Sequence, residues 1–178
     1  MEDKALGNTK LRREIEPRWV SWYIKEYYPD DEVRLRCPLG PIPIELQELY
    51  GPAKAARVYR PSRPEIDAIV ILPGALLLIE AKIFKYMDGL AKLPVYKSLV
   101  SQTAELMVFS NLPIIMHLLI PKAIPWVVAA APGMDVEVKT AAPDWVLQIW
   151  EERDKYWQPE ARMKRAERKA LLSKLGFR

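Results

Sequence analysis

The clearest hydrophobic pattern in the chain is a pair of apolar runs on either side of Pro73-Gly74. Residues 67–72 and 75–83 are rich in leucine or β-branched residues, and the Pro-Gly pair between them is a turn signal. The pattern predicts an antiparallel hairpin. With a two-residue or four-residue connection, Asp67 lies directly opposite Glu80. A one-residue bulge would instead send Asp67 to the other face of the sheet.

Helical and strand periodicities alternate along the rest of the chain. Apolar residues recur at helical spacing over 14–28, where Pro17 suits the first turn, and 32–37 alternates like a strand. The other predicted elements are helices at 44–50, 88–99, 143–157 and in the basic tail, buried strands at 113–120 and 126–131, a strand near 56–59, and an edge-like strand at 136–140. This order predicts an α/β domain with a mixed central sheet flanked by helices.

Length and composition are typical of one folded domain. The 178 residues are 50% hydrophobic, which suffices for a core. The N-terminus is charged and no run is long enough to cross a bilayer, so we expect an intracellular protein without a membrane partner. Many charges and 16 prolines, against few Asn and Gln, favour a thermophilic source.

Positive charge is concentrated at the C-terminus. The segment 160–178 carries a net charge of +5, and the remainder sums to −1. Its basic residues are Arg162, Lys164, Arg165, Arg168, Lys169, Lys174 and Arg178. We therefore predict a domain over 1–158 and a basic helix over 159–178. This helix either follows the phosphates of DNA or is simply a solvated face.

The candidate chemistry lies on the hairpin. Asp67 and Glu80, as cross-strand neighbours, would repel each other unless a positive charge lay between them. Lys82 follows Glu80 by two residues and shares its face of the strand. Two carboxylates with the backbone carbonyl of Ala81 form a ligand set suited to Mg²⁺ or Mn²⁺, which could activate water with help from the lysine. The alternative is an ordinary salt-bridge cluster.

Other reactive residue types have simpler interpretations. Cys37 is the single cysteine, so no disulfide framework or cysteine-based zinc site is expected, and it is interpreted as a small core residue. His117, the single histidine, lies in an apolar run and is interpreted as a hydrogen-bonded strand residue. We see no nucleophile motif of the GxSxG kind.

The sequence resembles the PD-(D/E)xK nuclease superfamily over about residues 12–131. The residues that carry the resemblance are Asp67, within PEID, and Glu80-Ala81-Lys82, on the two strands of a hairpin with a helix before and a helix after. The first element departs from the family's PD, and Glu65 competes with Asp67 for the role of first acid.

The resemblance implies a restriction-endonuclease-like αβββαβ core, with the C-terminal helices as an extension. It also implies a Mg²⁺-dependent or Mn²⁺-dependent deoxyribonuclease with Asp67, Glu80 and Lys82 as catalytic residues. In such nucleases the first helix often supplies a further metal ligand, for which Glu16 is placed ahead of Glu14 and Glu26.

The resemblance further implies that the helix after Lys82 presents Lys92 and Tyr96 to DNA. Many such enzymes are homodimers. The alternative is a catalytically idle module of this fold that binds DNA ends or helps assemble a viral particle or another nucleoprotein.

Overall fold

A five-stranded mixed sheet forms the centre of the computed structural model, which describes residues 3–157 and 159–174. The strands are β1 (Glu32–Pro38), β2 (Glu65–Leu72), β3 (Ala75–Ala81), β4 (Ile114–Ile120) and β5 (Glu137–Thr140). They lie in the sheet in chain order. β1, β2 and β3 are antiparallel, β4 is parallel to β3, and β5 is parallel to β4. The predicted α/β class with a mixed sheet is confirmed.

Helices flank the sheet and follow it in the chain. They are α1 (Asp3–Tyr27), α2 (Ile44–Tyr50), α3 (Pro52–Tyr59), α4 (Tyr86–Val100), α5 (Pro125–Ala130), α6 (Asp144–Trp157) and α7 (Pro159–Lys174). Three short 3₁₀ helices span Arg60–Ser62, Ala104–Phe109 and Ala131–Met134. Within the described residues, no helix combines the length and hydrophobicity needed to cross a membrane.

The hairpin of β2 and β3 has the predicted register. Its pairs are Leu72 with Ala75, Ile71 with Leu76, Val70 with Leu77, Ile69 with Leu78, and Ala68 with Ile79. Gly74 has φ of +90°, a conformation that glycine adopts at little cost, and this permits the two-residue connection. The next residues outward from the last pair are Asp67 and Glu80. The turn therefore brings these two acids to the same place.

Helix α4 connects β3 to β4 and packs against both strands. Leu90 and Leu93 are fully buried on its inner face. At Gly89 the helix comes so close to the sheet that an added Cβ would lie 2.5 Å from Cδ1 of Leu118 and 2.9 Å from Cγ of Lys82. Because Gly89 has no side chain, α4 can cover the end of β3 where Lys82 lies.

Helix α1 packs on β2 and β3 through a predicted apolar stripe. Trp19, Val20 and Tyr23 are buried, and the indole Nε1 of Trp19 donates a hydrogen bond of 2.9 Å to the carbonyl of Ala141. The helix begins at Asp3, well before the predicted start, so Pro17 lies inside it rather than in its first turn. Residues upstream of Pro17 are mostly good helix formers, which accounts for the longer helix.

Two predicted strands are wrong. Residues 56–59 belong to α3, and residues 126–131 form α5 and the start of a 3₁₀ helix. Both helices have a proline in their first turn, Pro52 and Pro125, where its fixed φ favours helix initiation and its missing N–H costs nothing. Burial in α5 is also one-sided, since Val127 is buried while its neighbours are exposed. Residues 126–131 are all apolar and residues 56–59 include the strand-favouring Val58 and Tyr59, so both segments are too short for their pattern to separate a strand from a helix.

The chain divides into two compact units, Met1–Ala142 and Pro143–Arg178. The first contains the whole sheet and α1 to α5. The second contains α6 and α7, which contact each other. The division lies at Pro143 rather than at the predicted boundary of residue 159, so α6 groups with the basic helix.

The close approach at Gly89 leads to the first prediction. Gly89→Ala should lower the free energy of unfolding by about 1–3 kcal/mol, although alanine has the better helix propensity, because Leu118 and Lys82 are buried and have little room to move. Chemical denaturation measures the change. Gly133→Ala is the control, since nothing lies within 4 Å of its added Cβ. An unchanged or increased stability of Gly89→Ala would contradict the close packing.

Candidate functional site

The candidate site lies at the end of β3, where the sequence runs Glu80-Ala81-Lys82. The backbone N–H of Lys82 donates a 2.9 Å hydrogen bond to the carbonyl of Leu119, which continues the pairing with β4 just beyond the assigned strand. This bond fixes the backbone on either side of Ala81. The glutamate and the lysine are both buried, with 2% and 9% of their side chains exposed. Their interactions must therefore be satisfied within the protein.

At this point the side chain of Asp67, rather than a backbone carbonyl of β2, accepts the hydrogen bond from β3. Its Oδ2 accepts a 2.8 Å hydrogen bond from the N–H of Ala81, beyond the last regular pair of β2 and β3. The carboxylate is thereby fixed in position across from Glu80, as the hairpin register predicted. One bond thus holds Asp67 at the site and satisfies a backbone donor where the two strands separate.

Lys82 lies at the centre of the acids. Its Nζ is 2.8 Å from Oε1 of Glu80 and 3.7 Å from Oε2 of Glu16, and it donates a 3.1 Å hydrogen bond to the carbonyl of Ala81. Burial lowers the pKa of Lys82, but the attraction of Glu80, Glu16 and Asp67 outweighs burial and raises the pKa overall. The lysine is therefore charged, and it partly neutralises the three carboxylates.

Glu16 reaches this cluster from α1. Its Oε1 accepts a 3.2 Å hydrogen bond from the N–H of Ile83, while Oε2 faces Lys82. The structure therefore brings together the four side chains that the sequence singled out as Asp67, Glu80, Lys82 and Glu16. Of the other helix candidates, Glu26 is exposed, and the side chain of Glu14 lies outside the described part of the structure.

Glu80 is the least satisfied member of the cluster. Its Oε2 is buried and has no hydrogen-bond partner among the described residues. Burial raises the pKa of Glu80 to about 7, and repulsion from Asp67 adds to the rise, while Lys82 and Lys92 oppose it. Near neutral pH this carboxyl therefore holds a proton more readily than an ordinary glutamate does. An unpartnered buried oxygen with this pKa marks a position where a further cation or donor would be stabilising.

The two residues predicted on α4 have different environments. Lys92 is half-exposed and lies near the acids, with Nζ 3.8 Å from Oε1 of Glu80 and 2.9 Å from Oδ2 of Asp88. Tyr96 is buried, and its hydroxyl donates a 3.1 Å hydrogen bond to the carbonyl of Glu65. Burial raises the pKa of Tyr96, so its hydroxyl stays protonated. Lys92 is accessible from solvent, whereas Tyr96 supports the start of β2.

Sequence reasoning missed a group of arginines beside the site. Glu65, the competing acid, is bound by Arg36, with Nε to Oε1 at 2.8 Å, and by Arg60, with Nη2 to Oε2 at 3.0 Å. Arg36 lies across from Asp67, between the pairs Leu35 with Ala68 and Cys37 with Ile66 of the β1–β2 ladder. Its φ of +50° is unusual for a residue other than glycine. The charge alternation in 32–37 was the available signal.

The predicted tail residues belong to the second compact unit. Arg162, Lys164, Arg168 and Lys169 on α7 are exposed, and Arg165 is half-buried. Arg178 lies outside the described residues. Exposed basic side chains are expected whether the basic helix binds phosphates or is simply a solvated face.

Neither His117 nor Cys37 belongs to the acid cluster. Nε2 of His117 lies 3.4 Å from Oε2 of Glu137 at the edge strand β5, and burial lowers the pKa of His117 to about 4. The imidazole is therefore neutral near pH 7. Cys37 is buried in the hydrophobic core. Among the residues that the structure describes, no three His, Cys, Asp or Glu side chains are grouped closely enough to hold a metal ion by themselves.

Comparison of the chain with family models, with curated proteins and with solved structures finds no match.

The hydrogen bond from the N–H of Ala81 to the carboxylate of Asp67 predicts that two substitutions of Asp67 differ in their effect on stability. Asp67→Ala leaves the N–H of Ala81 without its acceptor and should lower the free energy of unfolding by about 1–3 kcal/mol. Asp67→Asn keeps an oxygen acceptor, removes a charge that repels Glu80, and should be as stable as the wild type or more stable. Denaturant unfolding near pH 7 without divalent cations measures both. Equal stabilities of the two variants would contradict the structural role of this bond.

The raised pKa of Glu80 predicts a pH-dependent stability difference. Because the folded pKa of about 7 lies above the ordinary value of 4.5, this group favours the folded state below pH 4.5, and that contribution is lost as pH rises to 7. Wild type should therefore lose roughly 2–3 kcal/mol relative to Glu80→Gln between these pH values.

Comparing the two proteins at each pH, with EDTA present, cancels the titration of His117 and other shared groups. A difference that does not change with pH would show that Glu80 titrates normally.

Proposed function

We propose that the chain is a metal-dependent deoxyribonuclease of the PD-(D/E)xK type. The observation that carries the proposal is the buried, unpartnered Oε2 of Glu80, set beside Asp67 and Lys82 at the end of a hairpin. A structural salt bridge needs one acid for one lysine. This cluster gathers three acids around one buried lysine and leaves an oxygen without a donor, which is costly unless another cation binds or the carboxyl takes up a proton.

The order of elements supports the proposal. A helix precedes three antiparallel strands, and a helix then leads to a strand parallel to the third. This order is similar to the αβββαβ core of the superfamily, with α1, β1 to β3, α4 and β4 in the corresponding places. The chain departs from it in α2 and α3, which lie between β1 and β2. It also departs in the PEID sequence around the first acid.

The residue types present suit a hard divalent cation, which would have to draw the carboxylates closer together than they lie in the described structure. Asp67, Glu80, Glu16 and the carbonyl of Ala81 are oxygen ligands of the type that Mg²⁺ and Mn²⁺ prefer. At present the ammonium of Lys82 contacts three of these groups, so the site already attracts a positive charge. When bound, the metal would supply charge neutralisation at the phosphodiester and a more acidic water.

The chain's own side chains would share the remaining work. Asp67 is held in place by the N–H of Ala81, and Glu16 by the N–H of Ile83, so both carboxylates are preorganised. Lys82 stays protonated and can donate hydrogen bonds to an attacking water or to a phosphate oxygen. Lys92, half-exposed near Glu80, is placed to contact a neighbouring phosphate. Burial of Glu80 and Lys82 strengthens each of these interactions.

A catalytically idle DNA-binding module is the second candidate. The observation that favours it is the short contact of Lys82 with Glu80 and with the carbonyl of Ala81, which already compensates much of the negative charge without a metal. Such a module would keep the fold and its affinity for DNA ends or for a nucleoprotein particle. It would have no carboxylate-dependent affinity for Mg²⁺ or Mn²⁺.

The test combines metal binding with cleavage. Mn²⁺ or Mg²⁺ at about 100 times its dissociation constant should stabilise the wild type by about 2.7 kcal/mol, seen as an increase of several degrees in Tm. Asp67→Asn and Glu80→Gln should reduce this increase. Linear, supercoiled and branched DNA serve as substrates for cleavage with either metal.

Lys82→Met is the matched catalytic variant. Methionine keeps the buried stem of the lysine and removes the charge, and it should reduce cleavage by roughly 10²-fold or more. Lys92→Met removes a charge from a half-exposed side chain near the same acid and should have a smaller effect. A wild type that neither gains stability from either metal nor cleaves any of the three substrates would favour the idle module.

A further inference from the structure

A row of exposed basic side chains runs along α3 and the 3₁₀ helix that follows it. Lys54, Arg57 and Arg60 are spaced three residues apart, so they lie next to one another on the helical surface. All three residues are exposed. Successive members are about 4.5 Å apart along the axis of an ideal helix. Long lysine and arginine side chains easily span this distance. We call these three residues the basic row.

The positive charge of the basic row exceeds the negative charge of the acidic residues that contact it. The segment 51–64 contains four basic residues and no acid. Arg63 is buried and forms a two-pronged ion pair with Glu105, at 2.9 and 3.1 Å, so it belongs to the core rather than to the row. Arg60 shares the single carboxylate of Glu65 with Arg36. An unbalanced row on a solvent-facing helix attracts polyanions.

The basic row leads to the acid cluster. Arg60 also donates a 2.8 Å hydrogen bond to the backbone carbonyl of Arg36, and Arg36 lies across from Asp67 in the β1–β2 ladder. Their shared partner Glu65 is only two residues before Asp67 on β2. The Arg60 end of the row therefore lies near the part of β2 that carries Asp67. Helix α3, which carries Lys54 and Arg57, is one of the two α-helices inserted between β1 and β2.

We propose that Lys54, Arg57, Arg60 and Arg36 form a binding surface for the phosphate backbone of duplex DNA that continues into the Asp67–Glu80 site. This inference rests on the proposed function, because DNA is the substrate proposed there. It assigns backbone binding to the compact unit that holds the acids. Contacts of this kind position a duplex and carry no base specificity. Salt-dependent binding without sequence preference is the expected behaviour.

Lys54 and Arg57 provide the cleanest test. Arg60 and Arg36 also hold Glu65 and the backbone of β1, so changing them would mix binding with folding. Lys54 has its Nζ 5.0 Å from the ring centroid of Tyr50 on the same surface, and Arg57 is exposed on the same helix. The double variant Lys54→Gln/Arg57→Gln removes two charges and keeps good helix formers.

A second double variant provides the matched control. Lys25→Gln/Lys97→Gln also removes two charges from helices of the same unit, at exposed Lys25 and at half-exposed Lys97. Lys25 lies beside the start of β1 and Lys97 pairs with Asp135 just before β5, both towards the other end of the sheet from the acids. A general effect of net charge would weaken DNA binding equally in the two double variants.

The experiment measures fluorescence anisotropy of a labelled duplex of about 20 bp, in EDTA, from about 0.05 to 0.3 M salt. For two lost phosphate contacts, Lys54→Gln/Arg57→Gln should reduce the slope of log affinity against log salt by roughly 2. The affinity at about 0.1 M salt should fall roughly ten- to hundredfold. The control double variant should stay close to wild type, and both should keep the wild-type Tm.

Two results would overturn the inference. One is an equal loss of affinity in the two double variants, and the other is a wild type without measurable duplex binding at about 0.05 M salt. Failure of the proposed nuclease function is recognised separately, because it shows as an absence of metal-induced stabilisation and of cleavage. A protein that binds the duplex through the basic row but does not cut would keep this inference and lose the enzyme.

Discussion

Without a nearby cation, the fully buried carboxylate of Glu80 would be forced into its neutral form or would cost several kcal/mol of folding free energy. The ammonium of Lys82, 2.8 Å away, changes this balance. The lysine is itself buried and remains charged because it also faces Glu16 and the carbonyl of Ala81. Each buried charge thus depends on the others, and removal of either Glu80 or Lys82 alone would leave an uncompensated group in the protein interior.

The surrounding backbone is arranged to hold this cluster in place. The hairpin register brings Asp67 to the N–H of Ala81, the parallel pairing with β4 fixes Lys82, and α1 supplies Glu16. Gly89 allows α4 to pack over the lysine stem. These contacts come from four different elements, so the geometry of the acids reflects the assembly of the whole first unit. Rigid positioning of charged groups is what either a metal site or a stable ion cluster requires.

Local signals made the hairpin and its acids predictable from the sequence. The Pro-Gly turn sets the register within sixteen residues of chain, and the period of a strand then fixes which side chains meet. The strands predicted at 56–59 and 126–131 are helical instead, because the proline in the first turn of each helix outweighs the strand propensity of these short segments. The arginines around Glu65 were not predicted, since Arg36 and Arg60 meet it only after β1 pairs with β2 and α3 folds beside them.

The hydrogen bond from the indole of Trp19 to the carbonyl of Ala141 spans 122 residues of sequence. During synthesis α1 leaves the ribosome long before this acceptor, by about 10 s at ordinary translation rates. Its apolar stripe packs on β2 and β3, and the hydrogen-bond acceptor of Trp19 lies at the end of the first unit. The last hydrogen bond of the α1 face therefore forms only after all five strands of the sheet have been synthesised.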